Sequence, residues 1–415
     1  MQLIRTHTSV LLGMLALTLQ PLHAEEDGFY DLFNGEDLTG WTGGEAVVED
    51  GVLISKNGHT MTEATFANYE LEFEFRLPPG GNNGIGIHYP GEGDGAYTGM
   101  EIQVLDDTHP RYAELKEHQY HGSLYALAPA KRASLKPVGE WNHQRIMVNG
   151  PAILVEVNGE ITLRTNLDDL NRSHPDHEGA KRRSGHIALL GHRSPVAYRN
   201  IRIREIPLSA NVANVRAQGF KPLFDGKSLD GWKHNPDEGH WHVRSGILKH
   251  TGERGNPPHL WTEEEFGDFT MVFDWRWSGR GEMKQQPIIL PDGSTEGRTE
   301  VEEVDSGVFV RGEMKSQVNL WNWTVGSGEV WGYRNDASMP PEVRAAVTPS
   351  EKADRPLGEW NRMMITMKGD VLNVVLNGSQ VIHDARLPGV PERGEIGLQH
   401  HGQAIDFANI WIKEH

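Results

Sequence analysis

The chain has 415 residues, a net charge of −18 and no cysteine. The missing cysteine excludes disulfides, thiolate metal sites and a catalytic thiol. The acidic balance, with no basic stripe set against it, argues against a nucleic-acid partner.

Residues 1–24 read as a signal peptide: Arg5 precedes the apolar run Val10–Leu19, and Leu22-His23-Ala24 precedes Glu25-Glu26-Asp27. The run is too short to span a bilayer, and no later stretch approaches the length of a membrane helix. The expectation is a periplasmic or secreted protein without a lipid-modified cysteine.

The rest is written twice. Leu32-Phe33-Asn34-Gly35-Glu36-Asp37-Leu38-Thr39-Gly40-Trp41 returns as Leu223-Phe224-Asp225-Gly226-Lys227-Ser228-Leu229-Asp230-Gly231-Trp232. Gly139-Glu140-Trp141-Asn142 returns as Gly358-Glu359-Trp360-Asn361, and Gly185–Leu189 as Gly394–Leu398. Three matches in the same order, about 190 to 220 residues apart, mean a duplicated domain. The predicted division is 27–206 for the first copy, 207–218 for a linker and 219–415 for the second.

Within each copy the pattern is β. Tyr69–Leu77 and Phe269–Trp277 alternate apolar and polar residues. Ile153–Val157 and Glu160–Leu163 flank Asn158-Gly159, a type I′ hairpin signature that returns at Asn377-Gly378. Short strands with frequent glycine predict an antiparallel sandwich for each half. Ser278–Asp305, rich in Gly, Pro and charge, reads as a long surface loop of the second copy.

The stretch Gly99–Asp107 carries the first chemical signal. Met100, Ile102 and Val104 alternate with Glu101, Gln103 and Leu105, so Glu101 and Gln103 share the face opposite the core. A bulge or the strand end would return Asp106 to the side of Glu101, giving paired carboxylates suited to acid–base work on a sugar.

These motifs, together with "NNGIGIHYPG" (82–91), "GSLYALAP" (122–129), "YRNIRI" (198–203), "DSGVFVRG" (305–312) and "GEIGLQHHG" (394–402), resemble the 3-keto-disaccharide hydrolase family. The resemblance covers nearly all of the chain beyond the leader. It implies two tandem concanavalin A-like jelly-roll β-sandwiches and an activity that cleaves 3-keto-glycosides or 3-keto-disaccharides.

Aligning the copies sets Glu101, Gln103 and Asp106 against Gln317, Asn319 and Asn322. Amides bind hydroxyls but take no proton near neutral pH, so the first copy is the candidate catalyst and the second a binding or bracing copy. His88 alternates with Ile85 and Ile87, which places it opposite the core; its counterpart is Arg311. His121 precedes Tyr125, which aligns with Trp331 as an aromatic platform. Gln399 and His401 of the second copy correspond to Leu190 and His192.

The expected catalytic set is Glu101 or His88 as base and His121 or Asp106 as acid. Gln103, Tyr125, Gln317, Asn319, Arg311, Trp331, Gln399 and His401 are the expected sugar contacts. A divalent metal stays open as a cofactor, because His240 and His242 share a strand face and His174, Asp176 and His177 cluster in a loop. Two other readings compete: a lectin-like carbohydrate-binding protein, and an ordinary glycosidase using Glu101 and Asp106.

Overall fold

The computed structural model describes residues 28–132, 135–207, 212–234, 239–252 and 258–415. The segment read as a signal peptide lies outside the described residues. Both repeats fold as antiparallel sandwiches. In the second, one sheet runs in the order Trp241–Arg244, Ile247–His250, Ile405–Glu414, Phe269–Trp277, Asn361–Lys368, Val371–Leu376 and Ser379–Arg386. Facing it are Trp232–Lys233, Leu260–Phe266, Gly394–Leu398, Asp305–Val310 and Glu313–Trp321. Phe269, Met271 and Phe273 of the first sheet meet Val308, Val318, Ile396 and Leu398 of the second in one core. This is the two-sheet sandwich expected from the short alternating strands, and the jelly roll that the resemblance implies.

The first sandwich has the same layers with longer strands. His186–Glu205 runs through both sheets: its first half pairs with Asn82–Tyr89, its second with Tyr69–Arg76, and Val52–Thr62 follows it along its length. A register shift between His192 and Val196 marks the crossing. Where the first copy bends one strand, the second uses two, Gly394–Leu398 and Ile405–Glu414.

The repeated motifs have structural tasks. Trp41 and Trp232 are buried, and their indole Nε1 groups donate to the carbonyls of Leu32 (2.8 Å) and Leu223 (3.0 Å). Each Leu-Phe…Gly-Trp motif therefore closes on itself. Asn158 and Gly159 both have positive φ (50° and 85°), as the I′ turn requires. The Asn158 side chain donates to Asn142 Oδ1 at 2.9 Å, and Asn377 repeats the bond to Asn361 at 2.8 Å. Glu-Trp-Asn and Asn-Gly are thus two halves of one lock.

One expectation needs adjusting. Most of Ser278–Asp305 is a two-stranded ribbon, Glu282–Ile289 with Thr295–Glu303, rather than an irregular loop. Cross-strand pairs of Lys284 and Gln286 with Glu303 hold it, which composition alone could not show. The linker contains a helix at Val212–Ala217.

A buried charge network ties the sandwiches together. Glu205, at the end of the first copy, meets Arg276 and Lys249 of the second, the latter at 2.8 Å. Asp406 takes the same two cations at 2.8 and 3.0 Å, and Tyr30 donates to Glu205 at 2.9 Å. Burial alone would raise the pKa of each carboxyl; Lys249 and Arg276 outweigh it and hold both below their ordinary range.

Candidate active site

Met100–Leu105 buries Met100, Ile102 and Val104 in the first core and turns Glu101 and Gln103 outward. They open into a cleft of about 140 Å³, whose lining includes His59, Asn82, Asp94, Tyr97, Tyr125 and His192. Gly84 makes the space: it stands on the neighbouring strand directly opposite Gln103, beside Glu101. Only 4 % of Glu101 is exposed.

The pairing in this cleft is Glu101 with His192, Oε1 to Nε2, at 3.8 Å. Burial pushes the Glu101 carboxyl above its ordinary pKa, against the pull of the neighbouring His192 imidazole. Glu101 in turn raises His192, against burial. Each group therefore holds its proton to a higher pH than it would in water. The Gln103 amide nitrogen, in the orientation that satisfies its neighbours, donates to Glu101 Oε1 at 3.0 Å and to the Asn83 carbonyl at 3.3 Å.

The walls are aromatic. Tyr97 and Tyr125 meet edge to face with centroids 6.4 Å apart, and Gln119 donates to the Tyr125 hydroxyl at 3.3 Å. Tyr97 is about half exposed, a free ring edge with a hydroxyl beside the acid–base pair. His59 lies 2.9 Å from the Tyr89 hydroxyl, and burial lowers its pKa, so its neutral form is favoured. Asp94 accepts from the Ala96 backbone and caps the short helix Gly95–Thr98.

Three of the four expected catalytic residues do not join this site. His88 is fully buried, and its ring nitrogens each lie 3.2 Å from a backbone carbonyl, those of Ala67 and Arg182. Strict alternation fails there because His88 takes a left-handed backbone, φ +52°. Its counterpart Arg311 does the same at φ +56° and donates to the carbonyls of Gly267, Gly369 and Pro391. Both side chains clamp loops inside the protein, so Arg311 is not a sugar contact.

His121 stacks on Phe75 with centroids 5.0 Å apart, and its Nδ1 accepts from Leu105 N at 3.2 Å. Burial pushes its pKa down to about 3. Asp106 accepts from Gly80 N at 2.8 Å and from Thr108 at 2.7 Å, bracing the turn after the strand rather than returning to Glu101. Of the four, Glu101 alone lines the cleft, joined by the expected contacts Gln103 and Tyr125.

In the second copy Gln317 donates to Gln399 at 2.7 Å, and His401 stands 3.9 Å from Asp305. Asn319 is buried, and its backbone pairs with that of Glu329 and Gly328. Trp331 is half exposed at the start of a short helix. As to metals, His177 caps a short helix and His174 bonds Ser173. Among the described residues no three His, Asp or Glu side chains are grouped to hold an ion.

Sequence reasoning passed over His192, His59, Tyr97 and Asp94. One signal was available: His59 matches His259 and His192 matches His401, so both copies keep an imidazole at each of these positions.

The sequence profile of the 3-keto-alpha-glucoside-1,2-lyase-like domain matches residues 28–204 and again 219–413. The chain belongs to this family. The relatives of the family include a curated 3-keto-disaccharide hydrolase of Bacteroides thetaiotaomicron, 30% identical over 234 residues, covering 44% of this chain and 80% of that protein. Among solved structures, a putative glycosyl hydrolase from Parabacteroides distasonis is 27% identical at a TM-score of 0.39, covering 43% of this chain and 99% of its own. Another from the same organism is 25% identical at 0.39, covering 44% and 95%. Each of these relatives corresponds to less than half of this chain, and the family profile matches it once per sandwich.

Proposed function

We propose that the first sandwich is an exported hydrolase that cleaves 3-keto-glycosides by elimination and hydration. The observation that carries this reading is the Glu101–His192 pair in a small cleft walled by tyrosines. A ketone at C3 acidifies the C2 proton, so a carboxylate suffices to remove it. The Glu101 carboxylate takes that proton, and the C–H electron pair becomes the C2=C3 bond of an enolate. The enolate then expels the C1–O bond, whose oxygen leaves with a proton from the His192 imidazolium. Water adds at C1 and gives its proton to the neutral His192, and Glu101, whose proton has exchanged with solvent, protonates C2. The sum is hydrolysis without a redox change.

The remaining side chains suit the other demands. Asn82 and Tyr97 offer donors for the developing enolate oxygen. Tyr125 offers a ring face to the sugar. An ordinary glycosidase built on Glu101 and Asp106 loses its second carboxyl here, because Asp106 is turned away to the Gly80 turn. The family membership and the name of the Bacteroides relative support the same substrate class.

The test is to incubate the protein with a disaccharide and, separately, with its 3-keto derivative. Rapid release of monosaccharide from the oxidised sugar alone is the expected result. Equal cleavage of both would overturn the reading.

A further inference from the structure

The second sandwich keeps an acid–base pair that the amide at Gln317 conceals. Its front sheet repeats the register of the first: Gln317 faces Phe309 across the strands, as Glu101 faces Gly86. By the same register Asp305 stands where the first copy has Asn82. The carboxylate has moved one strand over, while the imidazole has stayed, His401 for His192. Asp305 Oδ2 and His401 Nε2 are 3.9 Å apart, against 3.8 Å for Glu101 and His192.

The surrounding face has been rebuilt to match. Trp261 stacks on Phe309 with centroids 5.2 Å apart and 17° between planes, and His259 meets the same ring at 4.9 Å. In the first copy these positions are Met61, Gly86 and His59. Room for the aromatic pair comes from Gly397, where a Cβ would sit 2.7 Å from the Trp261 ring and 3.0 Å from Phe309. The first copy has Ala188 there. Trp261, Gln317, Gln399 and Asp305 are all part-exposed and His401 is exposed, so solvent reaches the face. A part-exposed indole beside two amides and a carboxylate is a surface for a pyranose ring.

We propose that this face is a second acid–base carbohydrate site, in which Trp261 stacks on a 3-keto-glycoside and Asp305 and His401 act as base and acid. It rests on the chemistry proposed for the first copy. Asp305 takes the C2 proton, and the C–H pair forms the enolate. The C1–O bond then breaks, with the proton of the leaving oxygen supplied by the His401 imidazolium. Water adds at C1 and gives its proton to the neutral His401, and Asp305 protonates C2. Burial raises the Asp305 pKa to about 6, in keeping with a carboxyl that exchanges a proton near neutrality.

The experiment uses the full chain carrying Glu101→Gln, which disables the first site. Turnover of a 3-keto-disaccharide is measured before and after adding Asp305→Asn or, separately, His401→Gln. In parallel, the indole NMR signal of Trp261, assigned with Trp261→Phe, is followed as the sugar is added. The expected result is a remaining rate that either second change lowers by a further factor of about ten or more, with a shift of the Trp261 signal. A remaining rate indifferent to both changes overturns the site. If the unmodified protein cleaves no keto-sugar, the reading of the first copy fails, and the indole signal decides separately: a shift upholds a sugar on the second sandwich, and a fixed signal overturns it.

Discussion

Gly84 lies so close beside Glu101 that a Cβ on it would stand 2.0 Å from the carboxylate oxygen Oε1. Gly307 bears the same relation to Gln317, at 2.2 Å from its Nε2. Glycine is thus the space-maker for the functional side chain in both copies. Gly84→Ala should push Glu101 out of its pairing with His192 and cut turnover at least tenfold. The fold should survive, since the crowded partner is a side chain at the cleft. Thermal melting beside kinetics checks this: a normal melt with lost activity is expected, and unchanged activity would contradict the role of Gly84.

Glu101→Gln keeps the shape of the residue and removes its proton chemistry. Turnover should fall by about 10²–10⁴ while KM changes little. Full activity in this variant would remove Glu101 from the mechanism.

The rate should follow a bell-shaped pH profile. The base must be deprotonated, so the rate rises through a pH above the ordinary glutamate value of 4.5. The acid must be protonated, so it falls through a pH above the ordinary histidine value of 6.5. In His192→Gln the alkaline limb should vanish together with most of the activity.

Buried neutral histidines predict acid lability. His88 and His121 are pushed down to about 4 and about 3 by burial, so the unfolded chain binds protons that the folded chain does not. The stability they contribute is full above about pH 6.5 and is lost as pH falls toward 4 and below, each at up to about 1.4 kcal/mol per pH unit. The raised carboxyls Glu101 and Asp305 work in the opposite sense and offset part of this. Urea unfolding from pH 7 to pH 4 measures the net slope, and His121→Phe should make it shallower.

The sandwiches are joined by charges that sit out of water. Arg276→Met leaves Glu205 and Asp406 facing each other with Lys249 alone, a loss of about 3–5 kcal/mol for a broken buried pair. Calorimetry should show a lower melting temperature and two separated transitions in place of one. An unchanged single transition would mean that the network does not couple the halves.

Much of the fold was legible because its signals are local. Met100, Ile102 and Val104 alternate without a break, and Asn158-Gly159 dictates its own turn. The site was less legible because its parts arrive from distant strands. His192 reaches Glu101 only because a 20-residue strand crosses from sheet to sheet with a register shift at that point. His88 and Asp106 misled for a related reason. Period-2 facing holds inside a strand, and both residues sit at strand ends, where a left-handed backbone or a turn redirects the side chain.

The central claim is that Glu101 removes the C2 proton before the glycosidic bond breaks. Cleavage of a 3-keto-disaccharide in heavy water, with the 3-keto product examined by NMR, tests it most directly. Elimination and hydration predict deuterium at C2 of that product, with incorporation lost at the same rate as turnover in Glu101→Gln. A 3-keto product that carries only hydrogen at C2 would contradict the account and point to direct displacement at C1.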